Sequence, residues 1–168
     1  MKMYGFTPIL HQMDPDQYNY LHSIKKEACM IICYRPVGML HCDVKSRQDI
    51  PAFFSTSDVA GWIDIYNGYE DVIKGLDGVD RIIVLFYFHL SKSYSLLQKR
   101  RRTGELKGVF SLRSPDRPNA IGLSVLKLKG LAGTRIFVEG LDMVDGTPIL
   151  DIRPIGSGAG KASHLESD

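Results

Sequence analysis

Between Arg113 and Asn119 the chain reads RSPDRPN, and no helix can run through that stretch. Pro115 and Pro118 fix their own φ and push Ser114 and Arg117 towards extended conformations, so the segment is a stiff loop. Both flanks carry strand signals. Val109, Phe110 and Leu112 form a short apolar run before the loop, and from Ser124 onward Leu126 and Leu128 alternate with Lys127 and Lys129. Alternation with period two marks a strand half buried against a core.

The rest of the chain repeats this short-strand grammar. Tyr34–Cys42 (YRPVGMLHC) and Gly61–Tyr66 (GWIDIY) read as the first two strands. Arg81–His89 (RIIVLFYFH) is the most apolar stretch and reads as a central strand, with Tyr87 and His89 two apart and so on one face. Arg135–Glu139 follows a turn around Gly130 to Thr134. Asp145-Gly146-Thr147-Pro148 has turn chemistry, and Ile149–Ile152 is a short strand bearing Asp151. The one short helix in this region is expected between Tyr69 and Leu76, ending at Gly75 or Gly78. Many short strands with turns between them predict an all-β fold, a small β-barrel of about seven strands. Before it, the apolar spacing from Asp16 to Ile32 predicts an N-terminal helical extension over residues 1–33. The barrel is expected over 34–156, and the Gly/Ser-rich residues 157–168 read as a flexible tail.

A chain of 168 residues with 44% hydrophobic content suits one soluble domain with a sizeable core. No apolar run approaches the ~18 residues a bilayer-spanning helix needs, and no basic-then-apolar leader precedes Gly5. The expected location is the cytoplasm. Cys29, Cys33 and Cys42 are an odd set that argues against a disulfide framework. Pro36 occupies the position where a radical-type iron–sulfur site would place its third cysteine, and His41 beside Cys42 falls short of a zinc set, so no metal is expected.

The net charge of +2 hides a strong asymmetry. From Ser91 to Arg135 there are 11 Lys and Arg against 2 Asp and Glu, while both flanks are acidic. Charge concentrated in this way suits a polyanion, nucleic acid before any other. Its densest part, Lys99, Arg100, Arg101 and Arg102 with Tyr94 nearby, is read as a phosphate-backbone contact; the plainer alternative is a solvated surface loop.

The stiff loop can also do chemistry. The Arg113 and Arg117 guanidinium forks suit a carboxylate or phosphate, Asn119 both donates and accepts, Gly122 permits close approach, and Ser124 offers a hydroxyl. Arg113 to Ser124, RSPDRPNAIGLS, closely resembles the signature RSPxRPNPIGLS of the TrmO (TsaA-like) family, with Ala120 where proline is common. Asp145 to Ile155, DGTPILDIRPI, resembles its second motif, DGTPxLDIKPY, with Arg153 for lysine and Ile155 for tyrosine. The resemblance runs from about Tyr34 to Ile155.

The resemblance implies a small, commonly dimeric β-barrel that binds S-adenosylmethionine near the subunit junction. It also implies methyl transfer to the exocyclic amino group of threonylcarbamoyl-adenosine next to the anticodon of a tRNA. On that basis Arg113, Arg117 and Asn119, with Ile121, Gly122, Leu123 and Ser124, would hold the cofactor's carboxylate and ribose. Tyr87 and His89 would lie near the site and help bind the cofactor, His89 also as a catalytic candidate and Tyr87 facing the sulfonium or stacking on a base. Asp145 or Asp151 would accept the amino proton; the alternatives are an Asx-turn role for Asp145 and a surface pair with Arg153 for Asp151. Lys99 to Arg102 and Arg153 would contact RNA. No Rossmann glycine turn is present, which excludes the ordinary methyltransferase fold. Two other readings stay open: methyl transfer to another RNA or a small molecule, and a cofactor-binding module without catalysis.

Overall fold

The computed structural model describes residues 32–51 and 54–155. The expected helix before residue 32 and the expected tail after 156 lie outside the described residues. The chain divides into two compact units, one of Arg35–Tyr87 and Ile121 onward, the other of Phe88–Ala120 with the chain up to Tyr34.

The first unit is a closed antiparallel barrel. Its strands are β1 (Gly38–Cys42), β2 (Ala60–Ile65), β3 (Arg81–Tyr87), β6 (Ile121–Ala132), β7 (Arg135–Glu139) and β8 (Pro148–Pro154). They close in the order β1-β2-β7-β6-β3-β8. Inward positions alternate as the sequence demands: Leu40, Ile63, Ile82, Val84, Phe86, Leu126, Ile136, Val138 and Ile149 are all buried. The twelve-residue β6 serves two neighbours, pairing with β3 through Lys127 and with β7 from Lys127 to Ala132, with a register shift between Leu128 and Gly130. A second bulge on β8 lets Leu85 face Asp151 while Phe86 faces Ile149. Bulges of this kind add twist and bend, which a six-stranded sheet needs in order to close.

Glycine is required at Gly122. A Cβ there would lie 2.3 Å from two atoms of the buried Phe86 ring. The strand therefore passes directly over an aromatic ring, and only a hydrogen fits between.

The second unit contains the hairpin β4 (Leu97–Lys99) and β5 (Leu106–Gly108), a single 3-10 turn Val109–Ser111, and the proline loop. Two expectations are corrected here. The apolar run at Val109 to Leu112 is a 3-10 turn rather than a strand, because only Val109 is buried while Phe110 projects outward. The basic run forms the tip of this hairpin, where Arg100 N–H donates to the Glu105 carbonyl at 2.8 Å and Gly104 N–H donates back to that of Arg100 at 2.8 Å. The segment at Glu70–Ile73 is also 3-10, shorter than the expected helix, and the chain leaves it through Gly75 at φ +86°.

Candidate functional site

The two motifs and the basic run fall on both units. On the barrel, register decides which residues meet. Tyr87 pairs with Ile121, Leu85 lies between Leu123 and Asp151, and Ile83 pairs with Arg153. These positions alternate with the buried Ile82, Val84 and Phe86, so Tyr87, Ile121, Leu123, Asp151 and Arg153 share one outer face across β6, β3 and β8. Ile121 and Leu123 are exposed there, an apolar strip bordered by a carboxylate. Asp151 Oδ2 accepts from Arg153 Nε at 2.9 Å and Oδ1 from the Ile152 amide at 3.0 Å.

Ser124 points the other way. It is fully buried, and its hydroxyl donates to the Asp142 carboxylate. Gly122 faces inward with it. From Ile121 to Ser124 the motif thus alternates between surface and core, an arrangement that a reading of the string as one ligand loop misses.

Asp145 sits elsewhere. Its carboxylate accepts from the Cys42 amide at 3.1 Å and pairs with Lys45 at 2.8 Å, while its own amide donates to the Val44 carbonyl at 2.8 Å. These contacts tie the turn before β8 to the end of β1. The Lys45 ammonium, helped by the Cys42 amide, holds the Asp145 carboxyl below the usual carboxylate range. The two aspartates of the second motif therefore do not converge: Asp145 faces His41 and Lys45, Asp151 faces the β3 side.

His41 belongs to a cluster that sequence reasoning missed. Its ring stacks on Trp62, which also lies 5.1 Å from the Arg135 guanidinium and donates its indole N–H to Asp64 Oδ2 at 3.2 Å, and Arg135 forms a forked pair with Asp64. Arg135 holds the Asp64 carboxyl low. The only early signal was the alternation GWIDIY, which places Trp62 and Asp64 on one face. His41 faces outward, whereas the neighbouring Cys42 is buried, with its thiol raised by burial, so the pair cannot share a ligand. Cys33 is exposed. Among the described residues no three His, Cys, Asp or Glu side chains come together as a metal set.

In the second unit the proline loop is held by its own hydrogen bonds. The Asp116 amide donates to Ser114 Oγ at 3.2 Å, Asp116 Oδ1 accepts from Ser91 Oγ at 2.8 Å, and the Asp116 carbonyl accepts from Gln98 Nε2 at 2.6 Å. Arg113 and Asn119 are exposed, and Arg117 is half-buried, its guanidinium 5.9 Å from the Phe110 ring centre. Ala120 closes the loop with φ +46°, its amide donating to the Arg117 carbonyl at 3.0 Å. Proline could adopt neither that φ nor that bond, so the departure from the family string is built into this loop. His89 is not on the strand with Tyr87: β3 ends at Tyr87, and a turn in which the Ser91 amide donates to the Phe88 carbonyl takes His89 out of the period-two pattern.

The loop's donors are chemically fit for an amino-acid-bearing nucleoside: two guanidinium forks for a carboxylate and an exposed amide for hydroxyls. Residues 39–158 match the family model for the tRNA-methyltransferase O N-terminal domain. The chain belongs to the TrmO family. A probable S-adenosyl-L-methionine-binding protein of Pyrococcus abyssi is 36% identical over 74% of this chain and 68% of that relative. The tRNA (adenine(37)-N6)-methyltransferase of Mus musculus is 43% identical over 54% of this chain but only 22% of the mouse enzyme. A crystal structure of TrmO superposes with a TM-score of 0.67 at 30% identity, covering 82% of this chain and 64% of that one. The TrmO-family chain thus spans less than two thirds of that solved structure and about a fifth of the mammalian relative. Among the described residues no helix is long and apolar enough to cross a membrane.

Proposed function

We propose that this TrmO-family chain binds S-adenosylmethionine and directs its methyl group to the exocyclic amino nitrogen of the adenosine next to the anticodon of a tRNA, one already carrying a threonylcarbamoyl group. The observation that carries this reading is the family match over 39–158, with RSPDRPNAIGLS intact save for Ala120. When bound, the cofactor supplies a methyl group already activated on a sulfonium sulfur, so the protein's task is alignment and exclusion of water.

Arg113 and Arg117 bind the carboxylate, and Asn119 the ribose. The exposed Ile121 and Leu123 beside Tyr87 give the barrel face an apolar surface, suited to a nucleoside or to a second copy of the chain in a cytoplasmic homodimer. The adenine amino group is a weak nucleophile and must lose a proton as the new bond forms. Asp151 takes it. Asp151 shares the outer face of Tyr87 and Leu123, whereas Asp145 is held ionised by Lys45 as a fold clamp and is a poor base for that reason.

The test is label transfer from S-adenosylmethionine to tRNA with and without the threonylcarbamoyl group. Label should appear on the modified tRNA only, and Asp151→Asn should lower turnover by about a hundredfold while retaining cofactor binding. Equal labelling of both tRNAs would overturn the acceptor assignment. A specific finding favours the alternative of a non-catalytic module: several relatives, including that of Pyrococcus abyssi, are named only for binding the cofactor. Cofactor binding without transfer to either tRNA would decide for it.

A further inference from the structure

Phe110 is the most exposed large apolar side chain among the described residues, at 79%, although Val109 beside it is buried. The exposure is built rather than accidental. The 3-10 turn is fixed by Ser111 Oγ donating to the Gly108 carbonyl at 2.8 Å and the Leu112 amide donating to that of Val109 at 3.1 Å. The turn is anchored to the hairpin by the Val109 amide, which donates to the Leu96 carbonyl at 2.9 Å. One side of the ring is backed by the Arg117 guanidinium of the proline loop, and the exposure leaves the other side open. Around this ring the chain is strongly cationic: Phe88–Ala120 holds eight Lys and Arg against two Asp and Glu, and one of those two, Glu105, is paired with Lys107.

We propose that Phe110, backed by Arg117, is a stacking platform for an unpaired nucleobase of RNA lying along the basic hairpin. An open aromatic face next to dense positive charge is what single-stranded nucleic acid selects, since every base has a π-face and every linkage a phosphate. A protein partner would want the surrounding charge matched by acids, and the four consecutive basics at the tip make RNA the better occupant. The proposal rests on the reading of tRNA as substrate and adds to it a residue that neither motif contains.

The experiment measures binding of a tRNA transcript to wild type, Phe110→Ala, Phe110→Trp and the triple reversal Arg100→Glu, Arg101→Glu, Arg102→Glu, across a salt series. Phe110→Ala should weaken binding about tenfold without changing the salt slope, whereas the triple reversal should flatten the slope. Phe110→Trp should keep the affinity, and its added indole emission should be quenched by tRNA relative to wild type, in which Trp62 is the sole tryptophan. Wild-type affinity in Phe110→Ala, alongside weakened binding by the triple reversal, would overturn the platform and leave the RNA reading intact. No tRNA binding by wild type would overturn both. A shift from dimer to monomer in Phe110→Ala, with unchanged tRNA affinity, would assign the ring to a contact between copies.

Discussion

Replacing Gly122 by alanine should be a damaging one-carbon change in the barrel. The added Cβ would sit 2.3 Å from Cε2 and Cζ of Phe86 and 2.8 Å from its Cε1. Ordinary carbon contacts lie at about 3.5–4.0 Å, so more than 1 Å of overlap must be relieved. The Phe86 ring is 2% exposed, on an inward position that pairs with Gly122 on one side and the buried Ile149 on the other, so it cannot turn outward into solvent without leaving the core. Overpacking of this kind costs about 1–3 kcal/mol, and the burial of the ring that must move places Gly122→Ala at the upper end. About 3 kcal/mol corresponds to a fall in Tm of roughly 6–12 °C for a chain of this size. Urea unfolding followed by Trp62 emission measures it, because Trp62 lies on β2 of the same barrel. Combining Gly122→Ala with Phe86→Leu should recover part of the loss, giving a favourable coupling of about 1–2 kcal/mol in a double-mutant cycle. Gly122→Ala within ~0.5 kcal/mol of wild type, or strictly additive with Phe86→Leu, would refute the close-approach reasoning.

Ala120→Gly should stabilise the chain by about 1 kcal/mol, because φ +46° strains any residue with a Cβ, and Ala120→Pro should destabilise it by more, since it removes the bond to the Arg117 carbonyl; thermal melts separate the two. Asp145 has a lowered pKa in the folded state, so its contribution is present above the unfolded carboxylate pKa of about 4 and is lost as pH falls through the lower folded value. Melts from neutral to strongly acidic pH should show Asp145→Asn losing less stability below about pH 4 than wild type; parallel curves would remove the Lys45 clamp from the account.

Much of the barrel was legible because its strands obey a two-residue period. Arg81–Tyr87 and Arg135–Glu139 could be read almost to the residue, since buried and exposed side chains alternate without interruption. The run Val109 to Leu112 misled because apolar composition without alternation does not specify a strand, and the local turn left Phe110 outside. His89 misled because a period-two argument ends where its strand ends, one residue short of Phe88. The motif string gave the proline loop but not the inward turn of Gly122 and Ser124, which follows from β6 beginning at Ile121. The separation of Asp145 from Asp151 follows from register and the position of Lys45, both long-range facts no local pattern carries.

The central claim is that the arginine-bearing loop holds a sulfonium nucleoside through its carboxylate. Calorimetric titration of S-adenosylmethionine into the wild-type chain and into Arg113→Ala and Arg117→Ala tests it most directly. The account predicts one-site binding by wild type and a loss of about tenfold or more in affinity for each arginine variant, as removal of a charge-assisted fork requires. Absence of binding heat in wild type, or equal affinity in all three proteins, would contradict it.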